Sequence, residues 1–303
     1  MTSDGPRRLD AGLWGILATP FNGPTHDVDD LSLRREVALF RELPATGLVA
    51  LGVFGEGAAL STAEQRHVVA TVVAEARGLP VVVGLSARHT APAVEQATTA
   101  VAAAGSALAG VMVQVNTTAP ESLARHLTAV HAATGAGIVL QDYPVASGVR
   151  ISSAQILATL ARCTFVVAVK SEAPPTSAAI AELTAGTDVP IFGGLGGVGL
   201  LDELAAGAAG AMTGFSRPEA LLAALRAWQA GGMAAAHESY ARWLPLVNFE
   251  AQPGIGLALR KEALRRRGIF RDAAVRPPAP PMPEALQSIL TMHLDAYDAA
   301  GLL

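Results

Sequence analysis

Cysteine is nearly absent: Cys163 is the single thiol in 303 residues. One thiol excludes an internal disulfide and fits a reducing compartment such as the cytoplasm. Charge is also scarce, at 16% against 51% hydrophobic residues, a balance that excludes a disordered chain. The net charge of -4 offers nothing to nucleic acid. The local exception, Arg265-Arg266-Arg267, ends a helical pattern, where positive charge complements the helix dipole. No apolar run is long enough to cross a bilayer, so no membrane partner is expected. The opening stretch Met1 to Asp10 is polar and has no signal-peptide core. The seven histidines show no H-E-x-x-H spacing, and His126 and His131 stand five apart, so no metal site is expected.

What is present is a beat. Strand-like segments at residues 13–18, 47–52, 81–85, 110–115, 137–141, 165–170, 189–194 and 210–214 alternate with helical patterns. Ser61-Thr62-Ala63-Glu64 reads as a capping box opening one helix, and Ser152 or Ser153 as the start of another. Eight such units match an α/β fold of the closed (β/α)8 type, a TIM barrel; an open doubly wound sheet is the competitor. No linker divides the units. Beyond them the strands stop, and residues 218–230, 233–247, 254–267 and 283–298 read as helices. The expected organisation is therefore a barrel over residues 10–216 with a C-terminal helical extension over 217–303.

One strand carries a residue that does not belong in its company. Phe165-Val166-Val167-Ala168-Val169 runs directly into Lys170. A continuous apolar run reads as a strand buried on both faces, and lysine is depleted from strands. Alternation predicts that Val166, Ala168 and Lys170 share a face. A lysine buried there without a partner is driven toward the neutral, nucleophilic amine, as Schiff-base chemistry requires. The competing reading is a strand-end lysine that snorkels to water. Glu172, two residues on, reads either as an electrostatic neighbour or as a solvated loop carboxylate. In a barrel the active site lies at the C-terminal ends of the strands, where Glu56, Tyr143 and Lys170 fall.

At this point the chain resembles the dihydrodipicolinate synthase / N-acetylneuraminate lyase family of class I aldolases. The segments that carry the likeness are Gly15-Ile16-Leu17-Ala18-Thr19-Pro20-Phe21, Gly52-Val53-Phe54-Gly55-Glu56, Leu60 to Arg66, Tyr143-Pro144 with Ser147-Gly148, and the strand ending in Lys170. The resemblance implies a Schiff base between Lys170 and a 2-oxo acid such as pyruvate, with no cofactor. It implies a carboxylate cradle in the loop Gly52, Val53, Phe54 and Gly55, and a homo-oligomer, a tetramer or a dimer. Gly193 and Gly194 are expected to admit the substrate, and Met212 to line the eighth strand.

The departures from the family pattern matter. Two threonines usual in the strand-two loop are Val53 and Phe54, and Val53 has no hydroxyl to relay a proton. The place of the family tyrosine is Gln141, so Tyr143 is the expected acid/base and Gln141 a polar contact. An arginine usual two residues after the proline is Ala146, and tyrosines usual after strand four are replaced within Asn116-Thr117-Thr118. These changes argue against true dihydrodipicolinate synthase activity. They favour aldol cleavage giving pyruvate, or dehydration of a 2-keto-3-deoxy sugar acid. A catalytically weak 2-oxo-acid-binding regulator is the alternative. Gly194 to Gly199 satisfies G-x-G-x-x-G, but the next strand ends without an acidic residue for a ribose, so a nucleotide site is not expected.

Overall fold

Eight parallel strands follow the predicted beat: β1 (Gly12–Ile16), β2 (Gly47–Ala50), β3 (Val81–Gly84), β4 (Leu108–Gln114), β5 (Ile138–Asp142), β6 (Val166–Ser171), β7 (Ile191–Gly193) and β8 (Gly210–Thr213). Each pairs with its neighbour in chain order, and β8 returns to β1 with Gly12 opposite Gly210 and Gly15 opposite Thr213. The barrel is closed, so the open-sheet alternative falls away. The structure, a computed structural model, describes residues 6–299 and 301; the first half of the Met1 to Asp10 stretch and residues 300, 302 and 303 of the expected tail lie outside them.

The runs look continuously apolar because both faces are covered. Trp14, Ile16, Val49, Val82, Met112, Val139, Phe192 and Met212 fill the barrel interior. A second core lies between the barrel and its outer helices. Leu9 closes the bottom: its N–H donates to the Val167 carbonyl at 3.1 Å.

The face prediction for β6 fails in its first half. Ile138 pairs with Val166 but Val139 pairs with Ala168, so Val167 is an extra residue. Val167 and Ala168 both join the inner cluster, while Val166 and Val169 join the outer one. Such a bulge resets the alternation. Beyond it the period of two holds from Ala168 to Lys170, and the lysine does point inward.

Helix starts obey their caps. Glu64 donates its N–H to Ser61 Oγ at 3.3 Å and returns its carboxylate to the Ser61 N–H at 2.8 Å; Ser152 and Gln155 repeat the motif. The expected break between two tail helices falls at Gly231 and Gly232, whose backbone angles are non-helical inside Pro218–Tyr240. Shorter helices Leu244–Glu250, Gly256–Arg266 and Gln287–Ala299 follow.

The tail is bolted to the barrel rim by buried charge. Glu56, at the active-site end of the barrel, pairs with the fully buried Lys261 and accepts the Arg276 N–H at 2.9 Å. Arg276 also reaches Glu64 at 2.7 Å. The arginine cluster is not a free cationic patch: Arg265 and Arg266 pair with Glu262 and Arg267 with Glu219.

Glu36 lies beneath this rim at 2% exposure. One carboxyl oxygen accepts the Ala18 N–H at 3.1 Å and the other has no partner. Burial pushes its pKa up to about 8, against the pull of the Ala18 N–H, Lys261 and Arg260. The folded protein therefore holds a proton that the unfolded chain releases above its ordinary value of 4.5. Stability should be unaffected by this group below 4.5 and should fall at up to about 1.4 kcal/mol per pH unit from there to about 8. Glu36→Gln should remove that slope and leave the variant the more stable protein at alkaline pH. Urea midpoints at pH 6 and pH 9 check this; parallel shifts in the two proteins would refute it.

Candidate active site

Three neighbouring strands present polar side chains at one level of the barrel mouth. Gln114 on β4 is opposite Gln141 on β5, and Gln141 is opposite Lys170 on β6. The inward lysine has a charged partner, the first of the two readings of Glu172. Lys170 Nζ lies 3.0 Å from Glu172 Oε2, with both side chains only 7% exposed. The same oxygen accepts Gln141 Nε2–H at 2.7 Å, and Glu172 Oε1 accepts the Leu195 N–H at 3.2 Å. Glu172 is thus no solvated loop residue. Its N–H bonds to the Asp142 carbonyl at 2.8 Å, which carries the β5–β6 ladder one step beyond the strand. On that extended backbone, residues 170 and 172 share the inward face.

Gly193 at the end of β7 and Gly194 just beyond it make room for the protein's own carboxyls. A Cβ on Gly194 would stand 2.3 Å from Glu172 Oε1, and one on Gly193 would stand 1.8 Å from Glu203 Oε2. Glu203 also accepts the Thr176 hydroxyl at 2.8 Å. The G-x-G-x-x-G stretch forms a turn at the rim, with Gly196 donating its N–H to Thr213 Oγ1 at 2.8 Å and Gly197 O accepting the Tyr240 hydroxyl at 2.9 Å.

Acid groups crowd the lysine. Glu203 is pushed up to about 7, chiefly by burial, with Thr176 opposing and Glu172 adding repulsion. Asp142 rises to about 6 by burial and then by the charge of Glu172, and its Oδ1 has no partner. Tyr143 caps the short helix Pro144–Ser147 and is half-buried. Burial first, and Glu172 second, push its phenol above the ordinary value. That shift makes the phenolate scarcer and Tyr143 a poorer base at neutral pH. Its hydroxyl has no hydrogen-bond partner among the described residues.

The strand-two loop is under backbone tension. Leu51 and Glu56 both take positive φ, 58° and 53°, as does Leu195 across the mouth at 48°. Strain of this kind, about 1–3 kcal/mol each, concentrates at functional sites. Gly52 has open space where a side chain would be. The N–H groups of Val53, Phe54 and Gly55 have no acceptor among the described residues. The Val53 side chain is 43% exposed and turns outward. Phe54 packs against the inner cluster and under the Arg260 guanidinium, 3.9 Å from ring centroid to Cζ. Met212, expected to line the site, is wholly buried and fills the barrel interior.

Sequence reasoning passed over Gln114, Glu203 and Arg260. Gln114 was findable, standing two residues from the inward Met112. Glu203 and Arg260 come from outer helices, and no local pattern aims them at the mouth. Among the described residues no three His, Cys, Asp or Glu side chains gather as a metal site.

Comparison with known proteins agrees with this architecture. The model of the dihydrodipicolinate synthetase family matches residues 10–296. A 4-hydroxy-tetrahydrodipicolinate synthase of Methanopyrus kandleri is 28% identical, over 96% of this chain and 97% of that one. An L-2-keto-3-deoxyarabonate dehydratase of Azospirillum brasilense is 31% identical, over 89% and 88%. The crystal structure of a dihydrodipicolinate synthase from Rhodopseudomonas palustris superposes with a TM-score of 0.87 at 29% identity, over 95% and 99%. A family match over nearly the whole chain, joined to a closed barrel with an inward lysine on its sixth strand, shows that this chain belongs to the dihydrodipicolinate synthetase family, a family of class I lyases.

Proposed function

We propose that the protein dehydrates a 2-keto-3-deoxy sugar acid through a Schiff base on Lys170, with Glu172 rather than Tyr143 as the acid/base group. The observation that carries this reading is the 3.0 Å contact between Lys170 and Glu172, at a place where Gln141 stands in for a phenol. The amine attacks the substrate's C2 carbonyl, and water leaves to give the protonated imine. The imine withdraws electrons and acidifies C3–H. Glu172 takes that proton, forming the enamine. The resulting carboxylic acid returns the proton to the C4 hydroxyl, which leaves as water when the enamine electrons fold back. Water then hydrolyses the conjugated imine, which frees the Lys170 amine and leaves a net loss of one water. One carboxyl thus serves both steps, and the hydroxyl relay lost at Val53 is not needed. Gln141 holds the carboxylate on the lysine side.

The Azospirillum relative, a dehydratase, supports this direction. The relatives that are synthases favour the second reading, aldol cleavage or condensation with pyruvate. Synthase activity itself is disfavoured, because Ala146 offers no guanidinium to a second carboxylate. The protein works in the cytoplasm as a homo-oligomer in this reading. No helix among the described residues is long and apolar enough to cross a membrane.

Borohydride trapping tests the imine, and a product screen tests the reaction. Pyruvate and a panel of 2-keto-3-deoxy sugar acids are expected to leave a reduced adduct on Lys170, located by peptide mass spectrometry. The sugar acids are expected to lose one water without releasing pyruvate. Pyruvate release would install the aldolase reading. Adducts without turnover would install the regulator, and no adduct from any 2-oxo acid would overturn both.

A further inference from the structure

Arg260 is a tail residue in the helix Gly256–Arg266, yet it ends at the barrel mouth with 5% exposure. Only one edge of its guanidinium is used. Nε donates to Glu250 Oε2 at 3.1 Å, and Glu250 is itself held by the Ser216 N–H at 3.1 Å and by the Ser216 hydroxyl. The flat face stacks on Phe54. The far edge, Nη1 and Nη2, has no protein partner among the described residues, and neither atom is sealed from solvent. Two glycines leave that edge uncovered: Nη2 is 3.1 Å from where a Cβ on Gly196 would stand, and Nη1 is 3.0 Å from the corresponding point on Gly214. Donors open to solvent in this way are available to a ligand, which need only displace water from them. Here the fork is oriented by Nε and by the ring, and left open.

Resting on the proposed Schiff-base reading, we infer that Arg260 binds the substrate's C1 carboxylate, bracketing it against the free N–H groups of Val53, Phe54 and Gly55. A planar fork matches a carboxylate in both geometry and charge. Position around the barrel fixes which end of the substrate it meets. Gln114, Gln141 and Glu172 stand on the β4–β6 side with the lysine. Arg260 stands at the loops after β2, β7 and β8, on the other side of the lysine from Gln114 and Gln141. A 2-oxo acid joined to Lys170 at C2 then lays its carboxylate toward Arg260 and its C3–C4 bond toward Glu172. The side chains of the strand-two loop carry no hydrogen-bonding group for an anion at Val53 and Phe54, and the guanidinium supplies what they lack.

The test compares pyruvate with methyl pyruvate, its uncharged ester, as trapping substrates for the wild-type protein, Arg260→Met and Arg260→Lys. In Arg260→Met the pyruvate concentration for half-maximal trapping should rise about 10- to 100-fold, the range of a lost charge-assisted pair, with an unchanged plateau. The methyl ester should be trapped equally by both proteins. Arg260→Lys, which keeps the charge and loses the fork, should fall between them. An unchanged pyruvate dependence, or an equal shift for acid and ester, overturns the assignment. If Arg260→Met does not fold, the lysine variant decides on the same acid-to-ester ratio, and no change in that ratio is a refutation. Failure of the wild-type protein to trap any 2-oxo acid is a separate outcome and sinks the Schiff-base reading instead.

Discussion

Lys170→Ala should form no borohydride-stable adduct with pyruvate and should lose turnover by about 10⁴-fold or more, the scale of removing a nucleophile. Among the described residues the Lys170 amine is the group at the mouth placed to make the imine, since Lys261 is fully buried against Glu56, and every later step runs through that imine. The substitution also leaves Glu172 buried without its cation. Gln141 and the Leu195 N–H still donate to it. The stability loss should therefore stay near the lower end of the 3–5 kcal/mol typical of a broken buried pair, about 3 kcal/mol. A melting curve recorded beside the trapping assay separates lost chemistry from lost fold. Residual turnover within about a hundredfold of wild type would mean that the reaction does not need the imine.

Glu172→Gln should divide the two halves of the mechanism. The amide keeps one oxygen, enough for either Gln141 or the Leu195 N–H but not both, and Lys170 remains in place. Trapping of pyruvate should persist. Turnover of the sugar acid should fall by about 10²- to 10⁴-fold, the usual contribution of a positioned acid/base group. Tyr143→Phe is the matched comparison and should cost less than about tenfold, because the phenol's raised pKa makes it a poor base beside the carboxylate. The reverse pattern, with Tyr143→Phe inactive and Glu172→Gln nearly normal, would return the acid/base role to the tyrosine. Stopped assays at matched protein concentration, with trapping run in parallel, give both readouts from one preparation.

These two residues also show where the sequence speaks and where it is silent. The barrel was legible because each strand is an apolar run of suitable length, and the helix starts announce themselves in caps such as Ser61-Glu64. The inward lysine was legible because it violates the composition of its own strand. Its partner was legible only as one of two readings of Glu172. Seeing Glu172 as buried requires knowing that the ladder to Asp142 continues past Ser171, and that Gly194, twenty-two residues on, vacates the volume that its carboxylate fills. The bulge at Val167 was equally hidden, since it depends on the register with β5 and not on any local residue. Gly193 and Gly194 were marked as unusual, but that Glu203 and Glu172 lie where their side chains would be was not legible. Spacing can flag a missing side chain, but only packing tells what takes its place.

The ion pair between Glu56 and Lys261 has a consequence for how the molecule comes into being. The two residues are separated by 205 positions, and the Arg276 N–H that shares the same carboxylate comes 220 positions after it. At translation rates of about 5–20 residues per second, Glu56 waits roughly 10 to 40 s for its cation. Throughout that interval all eight strands can emerge and the lysine of β6 can take its place, while the strand-two loop still needs water around its acid. A chain that stopped before Lys261 would lack the cation that holds Glu56 at the rim. Emergence of Lys261 and Arg276, rather than of the eighth strand, is what gives the Glu56 carboxylate its partners.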